Sequence, residues 1–172
     1  MLTRLLKPAL PAALLAASLW LAGANPLAAA TLKPGERFPD LKAANLEGDL
    51  PADLTNKVIL VDFWASWCGP CKKSFPIMDQ LQKKYGPRAF VIIAISVDEK
   101  KEALAGFLKQ NPVSLVVVRD PGHKLVARVD VSTMPSSFLL DRSGTIRHVH
   151  AGFHGAQTRK QYEREIEALL KD

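Results

Sequence analysis

Residues 58–73 read Val-Ile-Leu-Val-Asp-Phe-Trp-Ala-Ser-Trp-Cys-Gly-Pro-Cys-Lys-Lys and contain both cysteines of this 172-residue chain. The apolar run over 58–65 predicts a buried strand, and helical spacing of apolar residues follows it. Cys68 therefore falls at the start of a helix, where unpaired backbone N–H groups and the helix dipole favour thiolate over thiol. Pro70 suits the first turn, because its missing N–H would have had no partner there. Since Cys71 lies within bonding reach, the pair is predicted to be a dithiol–disulfide reaction centre.

Other uses of a Cys-x-x-Cys pair fit this chain poorly. A structural disulfide that closes so short a loop removes little entropy from the unfolded chain and stabilises weakly. A structural zinc site needs four ligands, and the sequence has no second cysteine pair. Covalent haem attachment needs a histidine at position 72, which is Lys72. Redox chemistry remains, and we expect no metal and no flavin or nicotinamide cofactor.

The first 30 residues have the composition of an export signal. Arg4 and Lys7 come first, and residues 8–30 carry no charge and end in three alanines. This pattern predicts a secretory signal peptide over residues 1–30, cut after Ala30, and therefore a periplasmic protein in a compartment where disulfides form. An uncleaved membrane anchor is the alternative, because the uncharged stretch is nearly long enough to span a bilayer.

Residues 31–172 are enough for one well-buried domain. The net charge of the full chain is +6, but its basic residues are scattered beside acidic ones, which argues against a nucleic-acid partner. The predicted elements are, in chain order, short strands around 38–41, a strand at 58–65, a helix at 71–85, a strand at 90–97, a helix at 100–109, a strand at 115–118, a helix at 123–129, a hairpin of strands at 136–141 and 145–151, and a C-terminal amphipathic helix. This order predicts an α/β fold with a central mixed β-sheet flanked by helices on both faces.

The motifs at residues 61–73 and 134–144 resemble those of the thioredoxin superfamily. The first is Val-Asp-Phe-Trp-Ala-Ser-Trp-Cys-Gly-Pro-Cys-Lys-Lys, and the second is Met-Pro-Ser-Ser-Phe-Leu-Leu-Asp-Arg-Ser-Gly. The extra stretch over 98–129, together with the export signal, resembles the TlpA/ResA-like branch of extracytoplasmic thiol–disulfide oxidoreductases. The resemblance covers essentially all of residues 31–172 and implies a thioredoxin-like fold.

A carboxylate stands out within the predicted strand at Asp62. Burial without a partner should raise its pKa and let it exchange protons near neutral pH, unless it faces solvent on an edge strand. The position matches the buried acid of thioredoxins, which implies a general base for Cys71, while Cys68 attacks. Pro135 resembles the cis-proline that faces the disulfide in this superfamily, leaving the backbone of Met134 free to pair with an extended substrate.

Aromatic and histidine side chains near the site have competing interpretations. Trp67, with Gly69 and Pro70 beside Cys68, is expected to form the docking surface, together with Met134 across the site. His148 and His150 share one face of a predicted strand; an exposed strand face is the preferred interpretation and a metal clip the alternative.

The predicted function is exported thiol–disulfide exchange, with reduction of protein disulfides as the favoured direction. The Gly-Pro pair between the cysteines resembles reducing thioredoxins, so electrons would come from a membrane thiol-reductant donor protein. Ser74 and Ser136 differ from the glutamates that cytochrome c maturation reductases and their relatives tend to carry, which leaves the substrate open. A thiol peroxidase is the enzymatic alternative, although Ala65 replaces its peroxide-orienting threonine. A copper-binding metallochaperone is the non-enzymatic one.

Overall fold

A continuous apolar run forms the central strand of the sheet in the computed structural model, which describes residues 32–171. Strand β1 is Val58–Trp64, and all of its residues are buried. Strands that are covered on both faces need apolar side chains in both directions, which is why the run does not alternate with polar residues. The predicted signal peptide at 1–30 lies outside the described residues. Within 32–171, no helix is long and apolar enough to cross a membrane.

Helices and strands alternate after β1 until a final hairpin and helix. They are α1 (Gly69–Tyr85), β2 (Phe90–Ser96), α2 (Lys101–Gln110), β3 (Val116–Arg119), α3 (Lys124–Arg128), β4 (Ser136–Leu140), β5 (Ile146–Ala151) and α4 (Ala156–Leu169). The sheet order is β3-β2-β1-β4-β5. Strands β1, β2 and β3 pair in parallel, whereas β4 is antiparallel to both β1 and β5. The predicted α/β fold with a mixed, helix-flanked sheet is confirmed.

Helices α1, α2 and α4 pack on one face of the sheet, called here the α1 face. The ring of Trp64 on β1 lies 4.1 Å from that of Phe75 on α1 and 5.1 Å from that of Phe107 on α2. Ser137 of β4 reaches Tyr162 of α4 on the same side. Successive residues of a strand point to opposite faces. Asp62 lies two residues before Trp64, so its side chain also points to the α1 face.

The segment before β1, residues 32–57, crosses the molecule from one sheet edge to the other. Arg37 bridges to Thr145 beside β5, and Glu47 bridges to Arg119 of β3. The prediction of short strands around 38–41 is wrong. Phe38 donates its N–H to the carbonyl of Gly144, but Pro39 has no N–H with which to continue the pairing.

Candidate active site

The two sulfurs form a disulfide at the start of α1. Cys68 is the N-cap residue, in an extended conformation, and its Sγ accepts a hydrogen bond from the Cys71 N–H at 3.3 Å. The helix begins at Gly69, two residues before the predicted start, so Pro70 lies in its first turn. Cys68 is 6% exposed and Cys71 is fully buried. A partner molecule can therefore reach Cys68 first, and the same N–H would stabilise its thiolate after reduction.

A buried carboxylate anchors the turn that leads into Cys68. Asp98, just beyond β2, accepts hydrogen bonds from the backbone N–H and the hydroxyl of Ser66, at 2.9 and 2.7 Å. It also accepts one from Ser96 at 2.7 Å. Asp98 is 1% exposed, so these bonds supply the partners that a buried carboxylate needs. The sequence does not indicate this role, because Ser66 and Asp98 are 32 residues apart.

The loop before β4 lies against the disulfide turn. The Met134–Pro135 peptide bond is cis, as the resemblance implies. A pocket of about 490 Å³ separates the two segments, and its lining includes Trp67, Cys68, Gly69, Pro70, Thr133 and Met134. All four residues predicted to dock substrate therefore surround Cys68.

A second groove of about 570 Å³ continues on the other side of Trp67. Trp67 is 68% exposed, an unusual degree for so large an apolar side chain. The groove has apolar walls formed by Val97, Val126, Val131 and Met134, and its lining also includes the charged residues Asp98, Glu99 and Lys100. The face around the disulfide thus has a recess on either side of Trp67.

Asp62 is buried beneath this surface, on the α1 face of the central strand. It is 1% exposed, which rules out the edge-strand interpretation. Its Oδ1 accepts a hydrogen bond from the Ser137 hydroxyl at 2.6 Å, while its Oδ2 is buried and has no hydrogen-bond partner among residues 32–171. Burial raises the pKa of the Asp62 carboxyl to about 7, although the Ser137 hydrogen bond acts in the opposite direction. The group can therefore gain and lose a proton near neutral pH.

Tyr162 of α4 contacts the Ser137 hydroxyl that donates to Asp62, a contact that the sequence does not predict. Its hydroxyl lies 2.8 Å from that of Ser137, and the residue is 1% exposed. Burial raises the pKa of the Tyr162 phenol, so it stays protonated at neutral pH. The sequence placed Tyr162 on the apolar side of the last helix. A tyrosine on this apolar side was the available indication, because a buried tyrosine hydroxyl usually has a hydrogen-bond partner.

The histidines of β5 belong to a separate cluster. His150 is only 9% exposed and lies 2.7 Å from Glu165 of α4, so the expectation of an exposed strand face is wrong for this residue. Its burial follows from the packing of α4 against the sheet. Burial lowers the pKa of His150, although the Glu165 carboxylate opposes that shift. His148 is 3.5 Å from the same carboxylate. Within residues 32–171, no His, Cys, Asp and Glu side chains form a group able to hold a metal ion.

Known proteins share both the sequence pattern and this arrangement. The redoxin family model matches residues 33–166, a span that includes both cysteines, Asp62 and Pro135. A thiol–disulfide oxidoreductase ResA of Bacillus cereus is 33% identical over 137 residues, or 78% of each protein. ResA of Bacillus subtilis (strain 168) is 36% identical over 101 residues, 59% of this chain and 56% of that protein.

Solved structures agree with these sequence matches. A crystal structure of a Chlorobium tepidum protein, named there as the thiol:disulfide interchange protein DsbE, has a TM-score of 0.75 and 38% identity to this chain. The match covers 81% of this chain and 99% of that one. StoA from Bacillus subtilis is similar in fold, with a TM-score of 0.56 and 24% identity over 63% of this chain and 84% of its own.

Proposed function

The chain belongs to the redoxin family and is a thiol–disulfide oxidoreductase, and on that premise we propose that it reduces protein disulfides outside the cytoplasm. The observation that carries the proposal is the asymmetry of the two sulfurs. Cys68 lies at the N-cap of α1 beside an exposed tryptophan, whereas Cys71 is buried one turn further on. Such an arrangement suits one sulfur that attacks and one that resolves.

The proposed reaction starts from the dithiol form. The Cys68 thiolate attacks one sulfur of a substrate disulfide, a mixed disulfide forms, and the first substrate sulfur leaves as a thiolate that is then protonated. The Cys71 thiol gives up its proton, and its sulfur then attacks Cys68 Sγ and releases the second substrate thiol. The substrate disulfide gains two electrons and two protons, and the protein is left with the Cys68–Cys71 disulfide.

Asp62 is the proposed acceptor of the Cys71 proton. Its carboxyl lies on the α1 face, where α1 places Cys71, and its raised pKa keeps it able to take a proton near neutral pH. We expect Asp62→Asn to leave the attack by Cys68 largely intact and to slow resolution by Cys71. Stopped-flow measurement of mixed-disulfide formation and decay separates the two steps. Unchanged decay would contradict the proton-acceptor role.

The substrate is proposed to dock as an extended chain across the disulfide turn. Trp67, Gly69 and Pro70 line one wall of the pocket beside Cys68, and Met134 lines the opposite wall. Backbone pairing at Met134 would hold the substrate disulfide over Cys68 without requiring a particular sequence, and Pro135 completes this wall.

Export and the direction of electron flow complete the proposal. The composition of residues 1–30 supports a cleaved signal peptide and a periplasmic location. The Gly-Pro pair between the cysteines supports a potential nearer to about −270 mV than to about −120 mV, which a glutathione redox titration would measure. A reductant in an oxidising compartment needs a supply of electrons, and a membrane thiol-reductant protein is the proposed donor.

The test of the sulfur roles is a trapping experiment with two matched variants. Cys71→Ser keeps the attacking sulfur and removes the resolving one, so mixed disulfides with partner proteins should accumulate in the exported fraction. Cys68→Ser differs by the same single atom and should capture fewer partners. Non-reducing electrophoresis and mass spectrometry would identify the partners, which a reductant should release. Equal capture by both variants, or none by either, would contradict the proposed roles.

A further inference from the structure

We propose that Ser137 and Tyr162 are positioning residues, which orient the Asp62 carboxyl so that Oδ2 is the oxygen that takes the proton. This inference rests on the proposed function, because it assigns an atom to the proton step proposed for Asp62. It is carried by a hydrogen-bonded chain of three residues, Tyr162 of α4, Ser137 of β4 and Asp62 of β1, on the α1 face of the sheet.

The sheet register leaves Ser137 as the side-chain donor across the sheet from Asp62. On β1, Asp62 is paired with Ala94 of β2 on one side and with Ser137 of β4 on the other. The Ala94 methyl cannot donate a hydrogen bond, whereas the Ser137 Oγ lies 2.6 Å from Asp62 Oδ1. A buried carboxylate with one donor depends strongly on that donor.

The direction of each hydrogen bond in this chain is determined by the ionised carboxylate. A carboxylate only accepts, so the single hydroxyl proton of Ser137 must point to Asp62 Oδ1. Ser137 Oγ then has only lone pairs to offer to the Tyr162 hydroxyl, 2.8 Å away. Tyr162 therefore donates to Ser137, and Ser137 donates to Asp62. Hydrogen bonds within such a chain polarise one another, so the Tyr162 phenol strengthens the hydrogen bond from Ser137 to Asp62.

This chain distinguishes the two carboxylate oxygens. Oδ1 is occupied by the Ser137 hydroxyl, while Oδ2 is buried and no group in the described part of the chain forms a hydrogen bond with it. A proton arriving at Oδ2 leaves the Ser137 bond intact, whereas a proton on Oδ1 would compete with it. The incoming proton from the Cys71 thiol is therefore accepted at Oδ2, and the serine and tyrosine neither gain nor lose a proton in the step.

Other inward-facing ionisable groups on the neighbouring elements are engaged elsewhere. Tyr85 of α1 donates to Glu167 of α4 at 2.6 Å. His150 of β5 lies 2.7 Å from Glu165 of α4, and its ring packs edge-on against Tyr162. Asp98, just beyond β2, accepts hydrogen bonds from Ser66 and Ser96. The two cysteines at the start of α1 remain, of which Cys71 is the proposed proton donor, together with Tyr162 itself.

The test is a titration of the Asp62 carboxyl in the oxidised protein, where neither cysteine titrates. Aspartate labelled with ¹³C at Cγ gives the pKa by NMR, and the signal that is missing from Asp62→Asn identifies residue 62. Ser137→Ala removes the hydroxyl that donates to Asp62 and should raise this pKa by about one pH unit or more, because hydrogen bonds to charged groups are the strong ones. Tyr162→Phe should raise it less, and the double variant should match Ser137→Ala.

Ser136→Ala is the matched control. Ser136 is the neighbouring serine of β4, is buried, and donates to the Thr133 carbonyl on the other face of the sheet. It should leave the Asp62 pKa unchanged. An unchanged pKa in Ser137→Ala would overturn the proposal. A change in the Asp62 pKa caused by Tyr162→Phe that persists in the double variant would also overturn the proposal. If Ser137→Ala fails to fold, the Asp62 pKa in Tyr162→Phe alone still decides the test.

The pH profile of resolution separates this inference from the function on which it rests. The midpoint for decay of the mixed disulfide should move with the Asp62 pKa in both variants, while the pH profile of the Cys68 attack stays in place. A carboxyl pKa that moves without any change in resolution would overturn the proton role of Asp62. If the resolution rate depends on Asp62 but the Asp62 pKa is unchanged in Ser137→Ala, only the positioning role of Ser137 and Tyr162 is overturned.

Discussion

Asp62 is a residue whose burial costs stability. An ionised carboxylate in an apolar interior is strongly disfavoured, and one hydrogen bond from Ser137 offsets only part of that cost. A leucine at position 62 would pack without this penalty. The proposed role of Asp62 as a proton acceptor would account for an acid at this buried position.

The stability of the oxidised protein should reflect the protonation of Asp62. Its pKa rises from 3.8 to about 7 on folding, so between these values the folded state holds one proton more than the unfolded state. The free energy of unfolding should therefore fall as the pH rises from about 4 to about 7, by about 4 kcal/mol in total, and level off above that range.

Urea denaturation across this pH range, with Asp62→Asn as the reference, measures the effect. The amide does not titrate and keeps an oxygen for Ser137, so the difference between the two proteins isolates the carboxyl. A difference that stays constant with pH would contradict burial of an ionisable acid.

Single residues were predictable from sequence where the chemistry is local. The cysteines and Asp62 stand out by residue type and by their neighbours in the chain, whereas Pro135 was predicted from the resemblance to the thioredoxin superfamily. Ser137 did not, because its role depends on the pairing of β1 with β4 across 75 residues of chain. A serine in an apolar strand has no signature that names its partner.

Helix α3 is capped by a single side chain, that of Asp120. This helix has only five residues, and the Asp120 carboxylate, 2% exposed, accepts hydrogen bonds from the N–H groups of Lys124, Leu125 and Val126 at 2.9 to 3.1 Å. A helix this short is not stable by itself. The connection that contains α3 continues directly into the loop that carries Met134 to the disulfide.

Asp120→Ala should lower the free energy of unfolding by about 1–3 kcal/mol, because it leaves buried N–H groups without an acceptor. It should also weaken substrate capture in the Cys71→Ser background, since the loop after α3 forms one wall of the pocket. Chemical denaturation and the trapping yield measure the two effects. Asp53→Ala is the control, because Asp53 makes a similar turn contact with Thr55 on the exposed surface. Equal losses in the two variants would contradict the importance of the α3 cap.

Helices and strands of the core were predicted to within one or two residues, because long apolar runs and helical spacing are local properties. The turn between β4 and β5 was also predictable, since Gly144 adopts the positive φ of 80° that the turn requires. The path of the segment before β1 was not predictable, because its contacts are with residues near 119 and 145, which are distant in the sequence. This segment pairs with the sheet through single β-bridges, which do not produce an alternating pattern of apolar and polar residues in the sequence.

At the scale of the whole molecule, this segment connects the sheet edge at β3 to the active site through Arg119. The guanidinium of Arg119 donates to Glu47 Oε2 from Nε and Nη2, at 3.0 and 2.6 Å. Its Nη1 donates to the carbonyls of Asp98 and Glu99. Asp98 in turn binds Ser66 in the turn before Cys68. One cation therefore ties the segment before β1 to the residues that hold the disulfide turn in place.

Arg119→Met should release these contacts together while keeping most of the side-chain volume. The Asp98 and Glu99 carbonyls would lose their donor, so the free energy of unfolding should fall by about 1–3 kcal/mol. Hydrogen exchange followed by NMR should show faster exchange at the Glu47 and Arg119 amides, which pair with each other's carbonyls at 2.8 Å, and at the Ser66 amide.

The control for this prediction is Arg147→Met. Arg147 is half exposed and pairs with Asp141 at 3.4 Å, so its loss should change stability and exchange much less. The Ser66 amide is the decisive probe, because it lies in the active-site turn rather than at the sheet edge. Faster exchange at Glu47 with an unchanged Ser66 would mean that Arg119 holds the edge alone. Faster exchange at both would mean that the segment before β1 supports the geometry from which Cys68 attacks.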